Sequence, residues 1–73
     1  MGPEMRDSPI ATLVYARICR RNKRTPEGLR ALRQALSQAS PLDQVALLHE
    51  IGHSLDAIGR FKEAFKAYTQ ANY

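Results

Sequence analysis

Leu48, Ile51 and Leu55 follow one another at spacings of three and four, Tyr15 and Ile18 stand three apart, and Leu32 and Tyr68 sit in segments of the same kind. Residues so spaced line one face of an α-helix. No segment alternates apolar and polar residues as a half-buried strand does, and β-branched residues are few. The breaks between the periodic segments are regular as well. Ser8-Pro9, Thr25-Pro26 and Ser40-Pro41 each suit a helix start, where a hydroxyl caps free amides and proline takes the first turn. Asp43, three residues after Ser40, makes a variant of the capping box. Gly59 suits a helix end that needs a positive φ. The pattern predicts an all-α chain of four helices at about 9–22, 26–39, 41–58 and 61–72, with residues 1–8 as a loose leader.

The second and fourth helices repeat each other. Glu27-Gly28-Leu29-Arg30-Ala31-Leu32-Arg33-Gln34-Ala35 falls on Glu63-Ala64-Phe65-Lys66-Ala67-Tyr68-Thr69-Gln70-Ala71 at a constant offset of 36 residues. Identity or size class is kept at every position except Arg33 against Thr69. A fixed period in this range marks a helical array in which each hairpin buries its apolar face on the next. Small residues at Gly52 and Ala64, and at Ala16 and Gly28, are expected to let paired helices approach closely, at about 1 kcal/mol for a glycine inside a helix. Tyr15, Ile18 and Leu32 in one hairpin, and Leu48, Ile51, Leu55 and Tyr68 in the other, are expected to form the packed layers.

Leu48, Ile51, Gly52 and Leu55 in one helix, Gly59 and Phe61 at the turn, and Ala64, Tyr68 and Ala71 in the next resemble a tetratricopeptide repeat. The first copy, with Thr12, Tyr15, Ala16 and Cys19, then Gly28, Leu32, Ala35 and Pro41, is a weaker match. Lys23 and Thr25 replace the glycine and aromatic of its turn. The resemblance covers about residues 9–73, with one repeat at about 9–42 and another at about 45–73, and implies two helix-turn-helix hairpins stacked as a short solenoid. The segment from Leu47 to Asn72 also looks like the repeat that precedes the catalytic domain in some bacterial sulfotransferase fusions, which would make this chain the repeat module of such a protein. No glycine-rich phosphate loop accompanies it.

Length and charge narrow the function classes. A single domain of 73 residues buries only roughly 60% of its unfolded surface, which disfavours a deep two-lobed catalytic cleft. No apolar run approaches the roughly 20 residues that cross a bilayer, and Met1 to Ser8 has no apolar signal core, so the expected compartment is the cytoplasm. Cys19 stands alone and reads as a small buried residue. The net charge of +4 is uneven: residues 1–40 hold eight Arg and Lys against three acids, and residues 41–73 hold three against four. The basic run Arg17, Arg20, Arg21, Lys23 and Arg24 suits either an acidic partner or the negative end of a helix dipole. It has no recognisable nucleic-acid motif and few aromatics accompany it for stacking, which disfavours DNA or RNA.

His49, Glu50 and His53 spell HExxH, the zinc-peptidase signature, in which two histidines four apart hold the metal and the glutamate polarises its water. The longer metzincin form needs a glycine and then a third histidine at the positions of Asp56 and Gly59. Glu63 and Asp56 lie too near in sequence to supply an opposing ligand, and no edge strand is predicted to hold a substrate. The expectation is a non-catalytic chain with no cofactor and no metal, the zinc-hydrolase fragment being the alternative.

In the family this chain resembles, the first helix of each hairpin lines a concave groove for peptides. Steps of three and four from His49 reach His53 and Asp56, with Glu50 and Ala57 flanking, and the 36-residue offset gives Leu13, Arg17, Arg20 and Arg21, with Val14 beside them. This groove is expected to capture an acidic or carboxylate-bearing segment of a protein, with Arg17 and Arg21 making charge-assisted hydrogen bonds and the histidines strengthening in mildly acidic solution. Phe61 and Phe65 lie where a following repeat would dock, which implies self-association or a longer array.

Overall fold

The computed structural model describes residues 8–71. Among them the chain is all-α with no strand, in four helices: α1 (Pro9–Arg21), α2 (Thr25–Leu36), α3 (Pro41–Ala57) and α4 (Phe61–Ala71). Apart from Ser8, the expected leader lies outside the described residues, as does the expected end of the last helix at position 72. Two of the three hydroxyl-proline pairs act as caps. Ser8 Oγ accepts the Ala11 amide at 3.5 Å, and Ser40 Oγ accepts the Asp43 amide at 3.4 Å while donating to Asp43 Oδ2 at 3.1 Å.

The middle pair departs from the expectation. Arg24 holds the N-cap position of α2 without a side-chain cap, and Thr25 is buried inside the first turn. Its hydroxyl-bearing side chain serves as packing. α2 also stops at Leu36, short of the expected residue 39. Beyond it the amides of Gln38 and Ala39 bond the carbonyls of Ala35 and Leu36, three residues back, as the chain unwinds toward Ser40, which precedes a proline and is steered out of helical geometry.

Both hairpin turns close alike, although only one contains glycine. After α1, Lys23 takes φ +61°, its amide bonds the Arg20 carbonyl at 3.3 Å, and the Arg24 amide reaches back to Cys19 at 2.7 Å. After α3, Gly59 takes φ +80°, its amide bonds Asp56 at 3.1 Å, and the Arg60 amide reaches Leu55 at 2.9 Å. Each position differs from its counterpart by the same 36 residues, and together the two bonds are a Schellman closure. Lysine therefore fills a left-handed position that favours glycine. In the first turn of α4, Arg60 grips Glu63 with Nη2 on Oε2 at 2.8 Å and Nε near Oε1 at 2.6 Å.

The helices pack in chain order, α1 on α2, α2 on α3 and α3 on α4, and α1 also touches α3. Leu29 and Leu32 of α2 join Leu47, Ile51 and Leu55 of α3 in one core cluster, with Ala16, Ala64 and Ala67 filling the narrow spaces between helices. Cys19 is buried, as its isolation suggested. A β-carbon on Gly28 would stand 3.1 Å from Ala16 Cα, so α1 and α2 do approach closely there. At Gly52 the nearest neighbour is a side chain: a β-carbon would meet the Tyr68 ring at 2.5 Å, so this glycine makes room for an aromatic ring of the paired helix.

Tyr15 and Ile18 correct the expected packing. Both are exposed, not layered between helices, because the face of α1 that carries them has no described helix against it. The shape is accordingly a thin stack, 37 × 30 × 13 Å in extent, closed at its central seam and, among the described residues, open at its two end faces.

A left-handed conformation costs a residue with a β-carbon roughly 1–2 kcal/mol. Lys23→Gly is therefore expected to stabilise the chain by about 0.5–1 kcal/mol and Gly59→Ala to destabilise it by about 1 kcal/mol. Urea titration of both variants measures these opposite signs.

Candidate functional site

The arc of α3 that turns toward the rest of the molecule is Leu47, Glu50, Ile51, Ser54 and Leu55, all buried. One ionisable side chain thus sits in an otherwise core-facing stripe. A buried carboxylate needs a charge partner or it neutralises, and here α1 supplies two. Arg20 Nη1 lies 2.8 Å from Glu50 Oε2, and Arg17 Nε donates to Glu50 Oε1 at 3.4 Å. The Arg20 contact is an ion pair whose N–H is not aligned on the oxygen, so Oε2 is left without a formed hydrogen bond. Ser54 Oγ, one turn further along, is also buried without a hydrogen-bond partner.

This bridge joins the two first helices of the hairpins and orders the surface above it. Arg17 and Arg21 are exposed, while Arg20 and Leu13 are half-buried. On α3, His53 and Asp56 are exposed and His49 is half-buried. Glu50 is not an accessible contact; it lies beneath the arginines as their internal counter-ion. Arg20 serves chiefly in that pair, which leaves Arg17 and Arg21 as the cations with outward-facing donors.

Tyr68, read from the sequence as a packing residue, does pack against the core and also belongs to this surface. Its ring faces His53 edge-on with centroids 5.7 Å apart and His49 at 6.1 Å, and its hydroxyl stands 3.1 Å from His53 Nδ1. Gly52 makes the approach of the ring possible. Loss of solvent around the phenol, and to a lesser degree the charge of Asp56, push its pKa above the usual tyrosine value. The equivalence of Tyr68 with Leu32 hid this role, because the same register position faces the seam in one hairpin and the histidines in the other.

The HExxH residues do not assemble as that motif requires. Glu50 is held by two arginines from another helix, and His53 Nδ1 is engaged by Tyr68. Among the described residues no three His, Cys, Asp or Glu side chains are grouped so as to hold a metal ion. Phe61 and Phe65 are exposed on α4. No described helix is long and apolar enough to cross a membrane. No protein-family model, curated protein or solved structure matches the chain, so the tetratricopeptide resemblance rests on its residues and their 36-residue correspondence.

Arg20→Ala leaves Glu50 in the seam with a longer contact to an exposed arginine, and a loss of about 1–2 kcal/mol is expected. Arg17→Ala removes a solvent-exposed partner and is expected to cost under about 1 kcal/mol. The order of the two unfolding free energies checks the assignment of the bridge. Tyr68 gives a separate expectation. A phenol whose pKa is raised by folding contributes stability that is complete below the unfolded value, about 10, and is lost as pH rises through the higher folded value. Thermal melts should show this alkaline decline in the parent chain and a shallower one in Tyr68→Phe.

Proposed function

We propose that this chain is a non-catalytic protein-interaction module of tetratricopeptide type that takes an acidic or carboxylate-bearing segment along the surface shared by α1 and α3. The observation that carries the reading is the Arg17–Glu50–Arg20 bridge. It ties the basic helix of the first hairpin to the histidine-bearing helix of the second, which supports reading Arg17, His53, Asp56 and Tyr68 as one surface. The bridge also displays the chemistry such a surface accepts: a carboxylate, met by guanidinium groups. Arg17 uses its Nε inward, and its exposed end retains donors for a second acid. Arg21 stands one helical turn beyond it.

Support for the zinc-hydrolase alternative falls away on the same geometry, because the glutamate that would act as base is occupied by cations. The aromatic pairing of His49 and His53 with Tyr68 gives those histidines a place in an interaction surface instead.

Fluorescence anisotropy with a glutamate-rich peptide and its glutamine counterpart tests the reading. The acidic peptide is expected to bind more tightly, to lose affinity as salt is raised, and to lose about tenfold on Arg17→Ala combined with Arg21→Ala. Equal affinity for both peptides, or no effect of the double substitution, would refute it.

A further inference from the structure

The two end faces of the stack are the two halves of an interface that already exists inside the chain. In the central seam, α2 presents Thr25 and Leu29, which are 4% and 6% exposed, and α3 presents Glu50, Ile51 and Ser54, which are 3%, 4% and 1% exposed. Moving by 36 residues gives the corresponding outer positions. On α4, Phe61 and Phe65 stand in place of Thr25 and Leu29 and are 64% and 72% exposed. On α1, Val14, Tyr15 and Ile18 stand in place of Glu50, Ile51 and Ser54 and are 49%, 47% and 51% exposed. At these positions the outer faces are more apolar than the inner ones: Phe61 replaces Thr25, and Val14 and Ile18 replace the buried carboxylate and hydroxyl.

Shape agrees with composition. Beside the α1 face opens a cleft of about 910 Å³ whose lining includes Ala11, Tyr15, Ala31 and Ala35. Their counterparts in the second hairpin, Leu47, Ile51, Ala67 and Ala71, are all buried, and Leu47, Ile51 and Ala67 belong to the core cluster with Leu29 and Leu32 of α2. Ala11 is much smaller than Leu47, and Phe61 and Phe65 are larger than Thr25 and Leu29. The open end is thus wider at Ala11, while Tyr15 and Ile18 offer larger apolar surfaces than Ile51 and Ser54 to the incoming phenylalanines.

We propose that copies of this chain associate head to tail, the α4 face of one seating Phe61 and Phe65 on Val14, Tyr15 and Ile18 of the next, by the same step that relates the two hairpins within a chain. The occupant of each open face is thus a second copy. The contact is heterologous, joining different surfaces, so it leaves a free face at each end of every assembly and continues beyond the dimer unless the rotation closes a ring. The proposal draws on neither Arg17 nor the histidines and stands whether or not the surface they share binds acidic peptides.

Sedimentation velocity over a range of concentrations, with two variants, tests it. The parent chain is expected to grow from the 8.2 kDa monomer through dimer to larger species as concentration rises. Phe65→Glu blocks the tail and Tyr15→Glu the head; each alone is expected to weaken association at least about thirtyfold while keeping the parent's helical circular dichroism. Mixed together, they retain one intact head and one intact tail, and a dimer containing one of each is expected, with no growth beyond it. A parent chain that stays monomeric, a dimer that Tyr15→Glu leaves intact, or a mixture that does not pair would each overturn the proposal.

Discussion

Leu29 and Leu32 of α2 meet Leu47, Ile51 and Leu55 of α3 along a seam, and the rest of the molecule is arranged by it. Each hairpin alone offers a stripe of apolar residues and a line of small contacts, with no third element to cover the stripe. Full burial of one leucine contributes about 1.5–3 kcal/mol, and a chain of this length has a net stability of only roughly 4–11 kcal/mol. A few side chains in one seam therefore decide whether the hairpins exist at all. The helix caps and the paired Schellman closures set where each helix begins and ends. The seam makes those local choices add up to one structure.

The same seam generates the candidate site. Because α3 must turn one face toward the first hairpin, Glu50 is carried into the interior, and α1 meets it with Arg17 and Arg20. The ion pair is costly to bury and weak as a source of stability, and it joins α1 to α3. With α1 and α3 so joined, the basic helix and the histidine-bearing helix share one surface. Tyr68 completes it from α4 through the gap left by Gly52. The candidate site and the core packing are thus two sides of one helix.

The helices, their starts at Ser8 and Ser40 and the turn at Gly59 were legible because each depends on residues within a few positions. The geometry of the first hairpin turn was not legible from its residues, since Lys23 adopts a conformation that its chemistry disfavours. Thr25 misleads for a similar reason: its place in the repeat, matching Phe61, outweighs the capping habit of a threonine before proline. Tyr15 and Ile18 have the spacing of core residues, and helical period alone does not distinguish the inside of a stack from its end. Glu50 carried a signal of its own. It falls three residues after Leu47 and four before Ser54, within the arc that also holds Ile51 and Leu55, so an acid in that stripe implied a cation reaching across from another helix. Tyr68 depended on the second hairpin being last among those described, where its register position opens onto histidines instead of a following seam.

The claim that the seam holds both hairpins is tested most directly by residue-resolved hydrogen exchange on Leu32→Ala, a change expected to cost about 2–5 kcal/mol by leaving a cavity in the cluster. If the seam is the shared source of stability, the slowest amides of α1, α2, α3 and α4 lose protection together and by the same free energy. Persistence of full protection in α3 and α4 while α1 and α2 open would contradict it.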